Sequence, residues 1–332
     1  MKPSRFVEWM IALACLLAAA GCENGVEPTI GVWQRVGLEG KEINALKATP
    51  WGVFAATRTY GIFRHTGHGW EEAGLQDRTV TSLLYVDTPT PYLLAGLLPE
   101  IHTPADATTY FTTDGARTWV PRDGRPVSAV RTDPGMLVVR SDPDDSERLV
   151  AGTHERVLLS EDGGASWHAS YDAGTGGFGP VFREVATHGG RVWARGYGAL
   201  GERLALRSDD WGGTWEAESD HQFFPLGAST NPDRLWGNSR RSFGYRSGTA
   251  QTFMPVLEYS VERGTISTVD ARGDTLCARS YAYLFCTTDD ARSWRQIELP
   301  AEATGPGAIL VESPEGIMIG SSGGGVWLLR SF

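Results

Sequence analysis

Ser160-Glu161-Asp162-Gly163-Gly164-Ala165-Ser166-Trp167 is the stretch whose reading decides the fold. Its pattern is Ser/Thr-x-Asp-x-Gly-x-Ser/Thr-Trp, and it returns complete at Ser208 to Trp215. With alanine in place of the glycine it returns at Thr112 to Trp119 and at Thr287 to Trp294. An aspartate in a tight turn can accept hydrogen bonds from main-chain N–H groups one or two residues on. Glycine at the fifth position allows a positive φ. The following Ser/Thr and Trp start a new strand, and the indole buries a large apolar area. Each copy therefore reads as a strand–turn–strand clip. Asp114, Asp162, Asp210 and Asp289, with Trp119, Trp167, Trp215 and Trp294, are read as structural. Catalysis rarely uses one group in every repeat.

The aromatic that ends each copy serves as a ruler along the chain. Trp33, Trp70, Trp119, Trp167, Trp215, Phe253 and Trp294 stand 37, 49, 48, 48, 38 and 41 residues apart. Between them a second pattern recurs, a β-rich run ending in small residues, as in Val53-Phe54-Ala55-Ala56-Thr57 and Arg148-Leu149-Val150-Ala151-Gly152. A repeat of this length with several short strands and turns predicts a β-propeller. The ends set the count. Gly325 to Arg330 reads as a third strand with no clip after it, and Gly31 to Arg35 as a fourth strand with no clip before it. Pairing the two closes a ring and removes an exposed edge. The fold expected is all-β: a seven-bladed propeller of four-stranded antiparallel blades, the N-terminal strand completing the last blade, with six or eight blades as the alternatives.

The chain has 332 residues, 41 of them glycine and 12 tryptophan, with a net charge of −10. That charge argues against general nucleic-acid binding. At the N-terminus, Lys2 and Arg5 precede an apolar run from Met10 to Ala20 that is too short to span a bilayer. The run ends Ala19-Ala20-Gly21-Cys22, which resembles a bacterial lipobox. That resemblance implies cleavage before Cys22 and lipidation of its thiol; ordinary signal cleavage nearby is the alternative. Glu23, by analogy with Gram-negative sorting, permits transfer to the outer membrane. The domains expected are a signal peptide over 1–21, a lipidated tether over 22–30 and the propeller over 31–332. Cys277 and Cys286 then remain. They sit on two strands joined by a short turn, and an exported protein can oxidise such a pair. A disulfide is expected, with two buried thiols as the alternative.

The recurring turns resemble the Asp-box of the BNR-repeat superfamily, which includes sialidases, other glycoside hydrolases, sortilin-type receptors and photosystem II assembly factors. The resemblance covers 31–332. It is specific for the fold and unspecific for function. Bacterial sialidases carry an Arg-Ile-Pro motif, and none occurs in this sequence. No catalytic residue is therefore carried over, and no cofactor or metal is expected. A single seven-bladed domain on a lipid anchor looks more like the assembly-factor and general exported-propeller group.

In such a blade the aspartate turns and the first-to-second strand turns share one face. The second-to-third strand loops and the blade connections share the other, where propellers usually bind. The second face is expected to carry Arg58, Tyr60, Arg156, Arg195, Tyr197, Arg240, Arg241, Arg279 and Tyr281. Arg58, Arg195, Arg240 and Arg279 follow the second strand in four blades and predict a ring of cations around one opening. Guanidinium forks suit carboxylates and phosphates, and Arg and Tyr are common interface anchors. The bland alternative is that these arginines are solvated or pair with Glu100, Glu155 and Glu202. Asp142, Asp144 and Asp145 read as a Pro-Asp turn before a calcium site. The expected function is binding or assembly: a monomeric domain holding an envelope protein or an anionic or glycan ligand. A BNR-type glycoside hydrolase, exo-sialidase-like, is the alternative, with Glu100, Glu155 and Glu202 as candidate carboxylates.

Overall fold

A computed structural model describes residues 26–29, 32–98, 109–122, 137–142, 144–174, 179–198, 203–217, 223–226, 234–239, 242–247, 253–258, 264–305, 307–313 and 315–330. They form seven sheets, antiparallel but for one added strand on blade 6, and the described residues contain no α-helix, only the 3-10 turn Ala301–Ala303. Blades 1 to 6 run in order over 43–72, 80–121, 138–172, 181–217, 224–258 and 268–298. Each is a meander from an innermost to an outermost strand. Blade 7 takes three strands from 309–329, and Trp33–Gly37 supplies the fourth. Trp33 stands opposite Leu329 and Gly37 opposite Val326 in an antiparallel register. The ring is closed by hydrogen bonds between the two ends of the described chain.

The core is divided in the same way. Seven apolar clusters lie one between each pair of neighbouring blades. The smallest joins blades 4 and 5 around Trp193, Phe223 and Leu235. Indoles near the start of the outermost strands reach back to the preceding blade. Trp70 Nε1 donates to Val36 O (3.1 Å), Trp119 Nε1 to Ala73 O (2.7 Å), Trp215 Nε1 to Ser170 Oγ (2.8 Å) and Trp33 Nε1 to Glu298 O (2.8 Å). Each indole so buries apolar surface while satisfying its one donor, which suits Trp to this position.

The four aspartate turns share one geometry. Ser160 Oγ donates to Asp162 Oδ1 (2.8 Å), which also accepts from Ser166 N (2.8 Å), while Ser166 Oγ donates to Asp162 Oδ2 (2.6 Å). The same set is built on Asp114, Asp210 and Asp289. One expectation is corrected. The main-chain donors lie three and four residues after the aspartate, as at Arg117 and Thr118, not one or two. The shorter link is made by the preceding hydroxyl, which accepts from Gly164 N at 2.7 Å. These bonds hold the carboxyls below the usual range, Asp114 and Asp289 at about 2, led in both by the hydroxyl of the seventh residue. The fifth residue has positive φ in every copy: 81° at Gly164, 80° at Gly212, and 71° and 65° at Ala116 and Ala291.

Cys277 and Cys286 face each other on neighbouring strands of blade 6, with Cα atoms 4.2 Å apart and a sulfur–sulfur bond of 2.04 Å. That spacing is the narrow, non-hydrogen-bonded site of an antiparallel pair. Within the segment read as a tether, Val26–Thr29 forms a strand parallel to the outermost strand of blade 6, Val26 opposite Trp294 and Thr29 opposite Ile297.

Candidate interaction face

Blade direction sorts the loops into two sets. The aspartate turns and first-to-second strand turns lie at one end of the strands. The second-to-third strand loops and blade connections lie at the other. On this second face, blades 6, 7 and 1 bring together a continuous surface. Blade 1 contributes the loop at Arg58 to Gly61, where Thr59 and Gly61 take φ of 73° and 69°. That tight loop presents Tyr60, which is 47% exposed. Arg58 pairs with Glu42 at 3.3 Å, both side chains open to water. Lys41 Nζ stands 3.9 Å from the Tyr60 ring centroid, a cation–π contact that steadies an otherwise solvated tyrosine.

The neighbouring loops extend this surface. The connection from blade 7 to blade 1 is tied down by Gly40 N donating to Gly323 O (3.1 Å) and by a bridge between Glu42 and Ser322. The glycine-rich turn Ser321 to Gly325 thus forms a low floor beside Lys41. On its other side stands Tyr281, 62% exposed, at the tip of the blade 6 loop. Gly305 sits between them: a Cβ there would be 3.8 Å from Tyr281 Cε2 and 3.5 Å from Ser322 Oγ. Arg35 bridges Glu39 (3.3 Å) and Glu302 (3.7 Å) at the border. Two exposed aromatic platforms therefore flank a polar, side-chain-poor floor with charges of both signs around it. Such a surface can bind a flat or extended group by stacking and fix its direction by charge.

Among the described residues, Arg58, Arg195 and Arg279 do not come together as the predicted ring of cations. Arg279 is fully buried. It is the last residue of its strand and, by the alternation of side chains, shares a sheet face with Cys277. Its guanidinium donates to Ala308 O (2.7 Å), Ala303 O (2.8 Å), Gly305 O (3.3 Å) and Gly320 O. Burial lowers its pKa to about 10. It supports the connection that carries Gly305 and cannot itself meet a ligand. Arg156 is also buried, its Nε 2.9 Å from Asp172 Oδ2. Arg195 lies within its strand, paired with Glu184 and 5.4 Å from the Tyr197 ring. Of the arginines expected on the binding face and among the described residues, Arg58 is the one that lies in the blade 6–7–1 surface. Arg240, Arg241, Cys22, Glu100 and Glu202 lie outside the described residues. Glu155 Oε1 accepts from Gly179 N (2.8 Å), fixing a blade connection. Asp142 Oδ1 accepts from Asp144 N (3.1 Å), a local turn.

The central channel carries a separate set of charges. Arg140, Glu184 and Asp270 lie on the innermost strands of blades 3, 4 and 6. Arg140 keeps exposed surface yet is closely surrounded by protein. That confinement lowers its pKa, and Asp270 and Glu184 act in the opposite direction. Lys41 is the residue that sequence reading missed. It sits in a connection with no repeat signature, and only the apposition of that connection to the Tyr60 loop reveals it.

No protein-family model matches the chain, and no curated relative does. Solved structures do resemble it. YCF48 from Cyanidioschyzon merolae superposes with a TM-score of 0.59 at 13% identity, over 90% of this chain and 98% of that one. The extracellular domain of a putative hybrid two-component system from B. thetaiotaomicron gives 0.61 at 12% identity, over 91% of this chain and 40% of that one. An ancestral GH74 enzyme gives 0.51 at 12% identity, over 91% and 56%. Likeness at such identities shows the fold alone, and the class it defines is the seven-bladed β-propeller.

Proposed function

We propose that the chain is an exported, lipid-anchored Asp-box propeller that binds an envelope protein or an anionic or glycan ligand through the blade 6–7–1 face. What supports this reading is the pair of exposed tyrosines, Tyr60 and Tyr281, set around the Ser321–Gly325 floor beside Lys41 and Arg58. Exposed aromatics beside cations are the residues that interfaces use as anchors. The resemblance of residues 19–22 to a lipobox supports the anchor at Cys22. Arg240 and Arg241 belong to the same proposal as flanking cations.

The test is recovery of partners from envelope extracts by the intact chain and by a Lys41→Glu/Arg58→Glu double variant. An Arg240→Glu/Arg241→Glu variant runs beside them. A partner held by the first and lost by the Lys41/Arg58 reversal supports the assignment; a partner held equally by all three contradicts it. If none is recovered by any form, a panel of glycosides tests the hydrolase alternative.

A further inference from the structure

The innermost strands of the blades bound the central channel, and three of them put charge at one height in it. Lys47 stands opposite Phe54 in blade 1, Arg140 opposite Val150 in blade 3 and Asp270 opposite Cys277 in blade 6. Phe54, Val150 and Cys277 hold the same place in the second-strand pattern, in Val53-Phe54-Ala55-Ala56, Leu149-Val150-Ala151-Gly152 and Leu276-Cys277-Ala278-Arg279. The three charged residues therefore share one level of the ring. At that level blades 2, 4 and 7 carry Leu84, Ala186 and Leu310, all buried. Glu184 lies two residues toward the loop face in blade 4, directly opposite Arg195 and ion-paired with it.

Arg140 is the group that these neighbours leave incompletely matched. Its Nη1 donates to Val139 O (3.0 Å), which uses one of the five N–H donors of a guanidinium. Among the described residues no other hydrogen bond and no ion pair engages it. Asp270 and Glu184 attract it through space from beyond ion-pair distance. It keeps exposed surface while protein surrounds it closely, the setting of a side chain on a channel wall. A guanidinium there has lost part of its water, still presents a planar fork of donors, and feels charge more strongly than in bulk solvent. The chain as a whole has a net charge of −10. Here Lys47, Arg140 and Arg195 stand against Asp270 and Glu184, an excess of one positive charge. Arg183 beside Glu184 adds to that excess, and Arg272 and Glu312, nearer the aspartate turns, offset each other in charge.

We infer that this level of the channel is a second binding site, separate from the Tyr60–Tyr281 face, where Arg140 holds the carboxylate of a small monoanionic organic acid. A carboxylate offers two oxygens to the guanidinium fork. One further negative charge brings the five groups, from Lys47 to Asp270, to neutrality. A dianion such as sulfate doubles the attraction but meets about four times the cost of leaving water, because that cost grows as the square of the charge. Confinement therefore favours the monoanion. Asp270, on the far side of the ring, opposes the bound acid, which gives the test its sign.

The experiment is a nuclear magnetic resonance titration of the full chain with isotope-labelled acetate and lactate in low-chloride buffer. Unfolding curves are read first to show that each variant is folded. The unaltered chain should bind saturably, and sulfate should displace acetate less well than lactate does. Arg140→Gln should weaken binding about 10-fold or more, with Arg140→Lys between the two. Asp270→Asn should tighten it about 2- to 5-fold. The Lys41→Glu/Arg58→Glu variant should bind as the unaltered chain does, so this site and the outer face are tested apart. No saturable binding, equal binding by Arg140→Gln, or weaker binding by a folded Asp270→Asn overturns the assignment. Loss of binding in Lys41→Glu/Arg58→Glu would move the acid to the outer face and overturn the channel site. Should Asp270→Asn fail to fold, the comparison with Arg140→Gln decides alone.

Discussion

Replacing Arg279 should damage this propeller more than replacing any other arginine singled out by the sequence. The side chain is fully buried, and its four described acceptors are all main-chain carbonyls, of Ala303, Gly305, Ala308 and Gly320. Three belong to the connection between blades 6 and 7, and the fourth to a strand of blade 7. A hydrogen bond from a charged donor contributes about 1.5–3 kcal/mol net, but the cost of burying the guanidinium offsets much of the sum. Each buried carbonyl left without its donor costs about 1–3 kcal/mol, and relief of the buried charge offsets part of that sum. Arg279→Met keeps most of the volume and deletes every donor, so it should cost about 3–5 kcal/mol, a large part of a usual domain stability of about 5–15 kcal/mol. Arg279→Lys keeps one charge on a shorter stem without the planar fork and should cost about 1–3 kcal/mol. Urea unfolding followed by tryptophan fluorescence gives both values. Because the same carbonyls seat Gly305 beside Tyr281, partner binding should weaken in the variants even under conditions where they remain folded. A loss under about 1 kcal/mol for Arg279→Met would place it among ordinary surface changes and refute the staple role.

Three further outcomes follow from the turns and the disulfide. Ala116 and Ala291 hold positive φ where their sister turns have glycine, so Ala116→Gly or Ala291→Gly should each add about 1 kcal/mol, read as a rise in Tm; a fall in Tm would contradict it. The turn aspartates have folded pKa values below their unfolded ones, about 2 against 3.8 for Asp114 and Asp289. A depressed carboxyl contributes stability above the unfolded value and loses it as pH falls through the folded one, so Tm should drop between about pH 4 and pH 2. Asp289→Asn should flatten that slope, and an unchanged slope would argue against it. Reducing the bond between Cys277 and Cys286, nine residues apart, should lower stability by roughly 2–3 kcal/mol; no shift in the urea midpoint after verified alkylation would show that the hairpin is held without it.

The fold was legible because its information is local and repeated. The turn from Ser160 to Trp167 names its own hydrogen bonds, and the unmatched halves at Gly31–Arg35 and Gly325–Arg330 announce the closure. The added strand at Val26–Thr29 was not legible. A parallel strand at an outer edge is held by main-chain groups and needs no pattern of its own. The face was legible in part. Arg279 looked like an exposed loop residue, yet it is the last residue of its strand and alternation from Cys277 puts it on the face packed against blade 7. Arg195 was misplaced because its strand runs on to Tyr197. Lys41 depends on two connections meeting across the closure between blades 7 and 1, which no single stretch records.

The measurement that bears most directly on the central claim is site-specific photo-crosslinking in growing cells. A photoreactive residue at Tyr60 and at Tyr281 is compared with one at Glu161, which is exposed on the aspartate-turn face of blade 3. The account predicts a discrete adduct from positions 60 and 281, lost in the Lys41→Glu/Arg58→Glu background, and none from 161. An adduct from 161 with none from 60 or 281 would contradict it and move the binding surface to the opposite face.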